Sequence, residues 1–241
     1  MKIIQKFFKI LEKLIFPNTC LICNKIITNG SFCVEDWNKL HFLQKSACSI
    51  CFQPFKHEIK NALCPKCLIN KPSYRKLITV FKYDAVSKKL ITKFKYSDQT
   101  HLAKFFANLM FIRSKEILPN IDFIAPIPLH KLRILKRRYN QSAILAHEIS
   151  KLSKIEIIAD LLKRTKNTTS QAGLNKKLRT KNLIKAFTIN AKYEAKIKGK
   201  NILLIDDVIT TGATIEECSK VLQKHKAQQI YVMTIAKTVL D

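Results

Sequence analysis

ILLIDDVITTGAT, residues 202 to 214, is the stretch of sequence that decides the fold. Its first four residues are apolar and predict a buried strand. Two carboxylates, Asp206 and Asp207, follow at the carboxyl end, where open α/β sheets bind their ligands. Residues 210–214 then open a helix, and Gly212 suits the left-handed backbone that a tight loop needs. The stretch therefore predicts a strand, a ligand-binding turn and a helix.

The side chains of this turn suit a sugar phosphate. Thr210, Thr211 and Thr214 can donate hydroxyl hydrogen bonds to phosphate oxygens, and the helix N-terminus adds positive potential. Asp206 and Asp207 can accept hydrogen bonds from the vicinal hydroxyls of a ribose. The alternative is a helix cap followed by solvated turn residues. An adjacent acid pair at a buried strand end is costly without a ligand or metal, which argues against that alternative.

Outward from this stretch, apolar runs alternate with helical periodicity, which predicts a parallel sheet covered by helices on both faces. The predicted strands are residues 77–83, 122–128, 201–206 and 229–236, and the predicted helices are residues 86–95, 100–116, 140–153 and 214–225. Residues 163–185 lack an apolar period and are rich in Lys, Asn and Thr, which predicts a long loop that acts as a lid.

Seven of the eight cysteines lie between positions 20 and 67, where their spacing is typical of metal binding. Two CxxC pairs about a dozen residues apart can complete a tetrahedral shell of four sulfurs around zinc. The complete set is Cys48, Cys51, Cys64 and Cys67. Four cysteines leave no open coordination position, so the predicted zinc is structural. Cys218 lies on a predicted helix and is interpreted as a small buried apolar residue.

The first cysteine set is incomplete, because Cys20, Cys23 and Cys33 are followed by Asp36 at the place of a fourth ligand. An oxygen ligand from Asp36, a nitrogen ligand from His41 and a site without metal all stay open. Disulfides are the alternative for both sets, but a chain in a reducing compartment keeps its thiols. We expect this chain to be cytoplasmic.

The chain of 241 residues is strongly basic, with a formal charge of +27, and its hydrophobic fraction of 47% excludes disorder as the main state. A diffuse lysine excess fits a solvated surface as well as it fits a polyanion site. The region from residue 131 to residue 181 is more informative, because it carries a local charge of +11 and five of the seven arginines. This clustering predicts a site for phosphates, on a small molecule or on nucleic acid.

No apolar run approaches the roughly 20 residues that cross a bilayer, so we expect no transmembrane helix. Residues 1–16 have the pattern of a short amphipathic helix that ends before Pro17. Lys9, Glu12 and Lys13 interrupt what would be the apolar core of a signal peptide. Docking of this helix on the body of the protein is favoured over binding to a membrane surface.

The stretch 202–214 resembles the motif with which type I phosphoribosyltransferases bind phosphoribosyl pyrophosphate (PRPP). Two further segments resemble the ComF family of competence-associated, phosphoribosyltransferase-like proteins. They are PIPLHKLRILKRRYNQSAILA, residues 126–146, and RTKNTTSQAGLNKKLRTKNLIKAF, residues 164–187. The resemblance covers nearly the whole chain, including the cysteine pairs.

This resemblance implies a zinc-ribbon module at residues 1–72 and a type I phosphoribosyltransferase-like α/β domain at residues 73–241. It implies structural zinc, and Mg²⁺ bound together with PRPP. The implied PRPP-binding residues are Asp206, Asp207, Thr210, Thr211, Gly212, Ala213 and Thr214, with the two acids also in the catalytic role. The implied pyrophosphate and loop residues are Pro128, His130, Arg133, Arg138, Gln171 and Arg179.

The chain departs from the family pattern at two positions. Asp36 stands where the family usually has Cys, which puts the first zinc site in doubt. Arg138 stands where the family has Gly, between Arg137 and the aromatic Tyr139, so the local backbone cannot be strained in the same way.

Three functional hypotheses follow. The first is a PRPP-binding protein of the ComF type that handles single-stranded DNA during DNA uptake, with other DNA-uptake proteins as partners. The second is a phosphoribosyltransferase that acts on an unidentified small acceptor. The third is a zinc-ribbon interaction protein with a degenerate transferase domain, against which the intact motif argues. The sequence leaves enzymatic activity open.

Overall fold

The computed structural model describes residues 18–28, 30–44, 46–57, 59, 61–96, 101–129, 139–165 and 186–239. Several predictions concern residues outside these ranges. They are the N-terminal helix, most of the lid loop, and the family-implied residues His130, Arg133, Arg138, Gln171 and Arg179.

The centre of the fold is a five-stranded parallel sheet with the order β1-β7-β6-β2-β3, beside which β4 and β5 form an antiparallel pair. The strands are β1 (Lys76–Lys82), β2 (Phe123–Pro126), β3 (Glu156–Ile157), β4 (Leu162–Arg164), β5 (Phe187–Ile189), β6 (Asn201–Ile209) and β7 (Gln229–Lys237). The helices are α1 (Val34–Asn38), α2 (Pro65–Ile69), α3 (Ala85–Tyr96), α4 (His101–Ser114), α5 (Gln141–Ser153), α6 (Glu194–Ile197) and α7 (Ala213–Lys224). Short 3₁₀ turns occupy Leu118–Asn120 and Ala191–Tyr193.

The predicted alternation of strands and helices is confirmed, because each predicted strand and helix overlaps an observed one. The boundary of the central strand was wrong. β6 does not end at Asp206 but continues to Ile209, because its backbone goes on pairing with β7 as far as the Ile209–Lys237 register. The acid pair therefore lies within the hydrogen-bonded part of β6, near its carboxyl end.

Apolar residues cover both faces of the sheet, as expected for buried parallel strands. Along β6, Ile202 and Leu204 pack on one face and Leu203 and Ile205 on the other. Helices α3, α4 and α5 cover the face of Leu203, and α7 with the β4–β5 pair covers the face of Ile202.

The second cysteine set packs into the sheet's own core. Cys48, Cys51, Cys64 and Cys67 belong to the same buried cluster as Leu77 of β1 and Ile230 of β7, among others. The backbone N–H of Leu77 also donates to the carbonyl of Ile50 at 2.7 Å. The cysteine-rich segment therefore contributes to the wall of the α/β core.

The predicted loop at 163–185 begins later than expected. Lys163 and Arg164 belong to β4, which pairs with β5 in the register Arg164–Phe187. This pairing closes the base of the segment that lies outside the described residues. Cys218 is buried in the core, as predicted. Within the described ranges, none of the helices combines the length and apolar character that spanning a bilayer requires.

Candidate functional site

The acid pair at the end of β6 is held by hydrogen bonds to one oxygen of Asp206. The Ser142 hydroxyl donates to Asp206 Oδ1 at 3.0 Å, and the backbone N–H of Asp207 donates to the same oxygen at 2.9 Å. Burial, together with the adjacent charge of Asp207, raises the pKa of Asp206 to about 7. Near neutral pH this carboxyl group therefore holds or releases a proton, depending on what else binds in the site.

Lys95, from the last turn of α3, forms an ion pair with the second acid. Its Nζ lies 2.8 Å from Asp207 Oδ2, and both side chains are largely shielded from solvent. The position of Lys95 is fixed in turn by Gln141 of α5, whose Nε2 donates to the Lys95 carbonyl at 3.1 Å. A cation from another helix thus balances one of the two carboxylates.

The loop that follows β6 turns at Gly212, which has a φ of +81° and is the N-cap of α7. This confirms the predicted positive φ. A Cβ at this position would meet Ile209 Cδ1 at 3.5 Å, which is ordinary contact, so the requirement for glycine comes from the backbone angle. The N-terminus of α7 therefore opens directly beside the acid pair, where its partial positive charge favours an anion.

An open cavity of about 210 Å³ lies above this junction. All seven residues of the predicted PRPP motif line it: Asp206, Asp207, Thr210, Thr211, Gly212, Ala213 and Thr214. Lys95, Ser142, Pro128 just after β2 and Arg164 from β4 are also among the residues that line it. The cavity thus combines hydroxyl groups, a helix N-terminus, two carboxylates and two basic side chains.

A second cavity of about 400 Å³ lies against the other side of the same loop. It shares Ile209, Thr210, Thr211 and Gly212 with the first. Its other walls come from the cysteine-rich segment, from Tyr74 and from the end of β7, and include Cys51, Gln53, Cys64, Lys66, Lys237 and Thr238. The loop is therefore a partition between two cavities.

Asn140 is the N-cap of α5. Its side chain accepts from the Ser142 N–H at 3.1 Å, and its Nδ2 donates to the Ile127 carbonyl at 3.1 Å. The cap therefore ties the start of α5 to the chain leaving β2. This connection also places the Ser142 hydroxyl over Asp206.

The complete cysteine set forms a compact cluster. The metal-ligating atoms of Cys48, Cys51, Cys64 and Cys67 all lie within 4.8 Å of one another, and all four residues are buried. Cys51 Sγ and Cys64 Sγ are 3.6 Å apart. A tetrahedral zinc with Zn–S bonds of about 2.3 Å places its sulfurs about 3.8 Å apart, so this cluster fits zinc.

The incomplete set gathers in the same manner, with Asp36 as its fourth member. Cys20, Cys23, Cys33 and Asp36 place their ligand atoms within 4.8 Å of one another. Hydrogen bonds from the thiols, first that of Cys23, hold the pKa of Asp36 well below its ordinary value. An ionised carboxylate is a ligand that zinc accepts, so this second group of residues fits the metal as well.

His41, considered as an alternative fourth ligand, does not join this group. Its Nδ1 lies 2.6 Å from Asp84 Oδ2, near the start of α3. Asp84 also accepts from the backbone N–H groups of Val86 and Ser87, so it caps that helix. The interpretation of His41 as a metal ligand was therefore wrong, because the fold directs its ring to a helix cap.

Sequence reasoning missed three residues of the first cavity. Lys95 and Ser142 were assigned only to helices, and Arg164 was counted only as part of a basic region. The Arg164 guanidinium lies 5.4 Å from the centroid of the Phe187 ring on the paired strand. A contact across β4 and β5 therefore orients this side chain, and the pairing of these two strands is not visible in the sequence.

Two family models match the chain, one in the cysteine-rich segment and one in the α/β part. One is described as a double zinc ribbon domain and matches residues 11–68, and the other is described as a phosphoribosyl transferase domain and matches residues 134–238. The first includes both cysteine groups, and the second includes the acid pair and its loop. The fold is thus a type I phosphoribosyltransferase-like α/β sheet preceded by a zinc-ribbon module, as predicted.

Similar proteins align over most of the chain. Competence protein F of Haemophilus influenzae is 29% identical over 221 residues, which are 85% of this chain and 96% of that protein. DNA utilization protein YhgH of Escherichia coli is 27% identical over 229 residues, 92% of this chain and 98% of that protein. A solved glutamine PRPP amidotransferase from B. subtilis aligns with a TM-score of 0.39 and 15% identity, over 59% of this chain and 30% of that one. The similarity to a competence protein and to a DNA utilization protein thus extends through both parts of the chain, as the resemblance of the motifs to the ComF family implied.

Proposed function

We propose that this protein binds PRPP together with Mg²⁺ and handles single-stranded DNA during DNA uptake. The observation that carries the proposal is the acid pair of β6, which lies beneath the Gly212 turn in one cavity with Lys95 and Arg164. A sugar phosphate matches these groups, because its phosphate needs hydrogen-bond donors and its ribose hydroxyls need hydrogen-bond acceptors.

In this proposal, different residues bind different parts of the ligand. The turn of Thr210 to Thr214 and the N-terminus of α7 bind the 5′-phosphate, while Asp206 and Asp207 accept from the ribose hydroxyls. Bound Mg²⁺ would neutralise charge on the pyrophosphate. Lys95 holds Asp207 in place before the ligand arrives, and Ser142 does the same for Asp206.

Pro128 lies at the cavity edge where the chain leaves β2, so the pyrophosphate would approach from that side. The other residues that the family resemblance assigns to the pyrophosphate and the loop are part of the same proposal. They are His130, Arg133, Arg138, Gln171 and Arg179.

The names of the relatives and the charge of the chain support the DNA part of the proposal. One relative is named a competence protein and another a DNA utilization protein. The net charge of +27 and the basic region at 131–181 suit the backbone phosphates of a single strand. We assign zinc to both cysteine groups, and we place the protein in the cytoplasm, where thiols stay reduced.

The second cavity favours an additional candidate function, the transfer of phosphoribose to a small acceptor. An acceptor must reach the anomeric carbon of PRPP, and the cavity behind Thr210 to Gly212 adjoins the proposed sugar site. Tyr74 supplies a large buried aromatic surface there. The two functions are not mutually exclusive.

Titration calorimetry of the zinc-loaded protein with PRPP and Mg²⁺ tests the proposal. We expect saturable binding by the wild type and none by the Asp206→Asn/Asp207→Asn double variant. The matched control is Asp122→Asn/Asp160→Asn, which removes two acids that pair with surface lysines. Absence of binding by the wild type, or equal binding by the double variant, would overturn the PRPP site.

DNA binding is measured separately, by fluorescence anisotropy with a labelled oligothymidylate. We expect the logarithm of the binding constant to fall linearly with the logarithm of the salt concentration, because each protein–phosphate contact releases counterions. Duplex DNA of equal length is the comparison. Equal affinity for both would point to non-specific charge attraction only and would contradict a role in single-strand handling. Pyrophosphate release with added bases tests the transfer reaction.

A further inference from the structure

Lys237, the last residue of β7, is a buried lysine that contacts the second cysteine group. Its Nζ donates to the Cys51 carbonyl at 2.7 Å and lies 3.8 Å from Cys51 Sγ. The residue is only 8% exposed. A buried ammonium group needs partners, and within the described residues these two contacts with Cys51 supply them.

The backbone of Lys237 is fixed between both neighbouring strands. It lies in register with Ile209 of β6 and with Lys82 of β1, and its carbonyl accepts from the Tyr83 N–H at 2.7 Å. The next residue, Thr238, donates its N–H to the Ile209 carbonyl at 2.9 Å. The loop of residues 210–214, the proposed phosphate loop, begins directly after Ile209, so one rigid connection runs from Cys51 to that loop.

A second connection joins the cysteine-rich segment to the other side of the loop. Ser73 donates from its N–H to Glu216 Oε2 at 3.0 Å and from its hydroxyl to Glu216 Oε1 at 2.7 Å. Glu216 is in the first turn of α7, and its N–H in turn donates to the Gly212 carbonyl at 2.9 Å. Gln223, further along α7, donates to the Ser73 carbonyl at 2.8 Å. The loop is therefore braced before and after its turn by the same segment.

We infer that Lys237, together with the Ser73–Glu216 pair, couples the second cysteine group to the phosphate loop, so that zinc held by that group stabilises the loop conformation. Lys237 is a positioning residue in this arrangement. Its positive charge partly balances the thiolates, and its Cys51 contacts belong to the class of outer interactions that orient metal ligands. Linkage makes the effect reciprocal, so a ligand that orders the loop strengthens zinc retention by the same factor.

Lys237→Met tests the inference, because methionine keeps the chain length and apolar stem of lysine and removes the donor. We expect zinc affinity, measured by chelator competition, to fall about 10- to 100-fold. We also expect faster hydrogen exchange in peptides that cover residues 205–216, without any ligand. Lys66→Met is the matched control, since Lys66 is an exposed lysine beside the same cysteines and lines the same cavity. It removes the same charge while leaving the Lys237–Cys51 contacts in place.

Equal zinc affinity in the two variants, or loop exchange that does not change in Lys237→Met, would overturn the inference. If Lys237→Met does not fold, Lys237→Arg and Glu216→Ala replace it. Arginine keeps a donor for Cys51 and should retain zinc, whereas Glu216→Ala cuts the second connection and should speed loop exchange. No change in either property for Glu216→Ala would also contradict the coupling.

A third measurement, PRPP affinity with Mg²⁺, rests on the proposed function. We expect PRPP to raise the zinc affinity of the wild type at least fivefold and to have a smaller effect on Lys237→Met, in which the Ser73–Glu216 connection remains. The two failures are distinguishable. If the wild type shows the zinc and exchange effects but binds no PRPP, the coupling stands and the PRPP proposal fails. If PRPP binds equally with and without zinc, the coupling fails and the PRPP site stands.

Discussion

Asp206→Asn removes a carboxylate whose ionisation the fold opposes. The pKa of Asp206 rises from 3.8 to about 7, because the group is buried and lies beside the charge of Asp207. Each pH unit of this difference corresponds to about 1.4 kcal/mol, so ionisation in the folded chain costs about 4 kcal/mol more than in the unfolded chain. Asparagine removes this cost and keeps the oxygen that accepts from Ser142 and from the Asp207 N–H, since both bonds go to Oδ1.

The sign of the effect follows from the direction of the pKa difference. A pKa that is higher in the folded state means that the folded state binds the proton more tightly. The stabilisation is fully present below about pH 4 and is lost as the pH rises through about 7. The stability of the variant relative to the wild type should therefore increase by about 2 to 3 kcal/mol between pH 5 and pH 8.

Urea denaturation of both zinc-loaded proteins at pH 5, 6, 7 and 8 measures this difference. Asp160→Asn is the control of opposite sign, because hydrogen bonding from Tyr193 lowers the pKa of Asp160. That carboxylate stabilises the fold above its ordinary pKa, so Asp160→Asn should destabilise at neutral pH. If the difference in free energy of unfolding between Asp206→Asn and the wild type stays constant from pH 5 to pH 8, the conclusion that burial raises the pKa of Asp206 is refuted. We expect Asp206→Asn to be more stable than the wild type at pH 8 and unable to bind PRPP, because residues that serve function often lower stability.

Three further substitutions test other parts of the structure. Cys64→Ser should release zinc and destabilise the cysteine-rich segment. Plasma emission spectrometry measures the zinc content. A zinc content equal to that of the wild type would contradict the four-cysteine assignment. Gly212→Ala should lower the free energy of unfolding by about 1 to 2 kcal/mol, because alanine must adopt a φ of +81°, and urea denaturation measures this. Asn140→Ala should cost about 1 kcal/mol in the same assay, since it removes the cap that Ser142 N–H donates to, and no loss would mean that solvent replaces the cap.

The sequence was sufficient to predict the sheet and the place of the acid pair near the carboxyl end of its central strand. Buried parallel strands are nearly continuous apolar runs, so β6 and β7 stand out without any knowledge of their neighbours. The Asp206–Asp207 pair and Gly212 are adjacent in the chain, so their proximity required no tertiary information. Both predictions depended on local patterns, and both correspond to observed features.

The parts that could not be predicted depend on contacts between distant segments. Lys95 lies in the last turn of a helix rich in lysine, and only the packing of α3 against the sheet brings its Nζ to Asp207. Lys237 ends a mostly apolar strand, where a lysine ordinarily indicates the return to solvent. Its burial follows from the cysteine-rich segment that covers this end of β7.

The same packing bears on why the cysteine-rich segment precedes the α/β sheet in one chain. A segment this small buries too little apolar surface to fold without metal or neighbours. Here its four buried cysteines share a core with β1 and β7, and its Ser73 end is attached to α7. Zinc loss would therefore remove a wall of the second cavity and the support of Thr210 to Gly212 together. If the segment were only an attached DNA-binding module, Cys64→Ser would abolish DNA binding and leave PRPP affinity unchanged. The shared core instead leads us to expect that both affinities fall together in that variant.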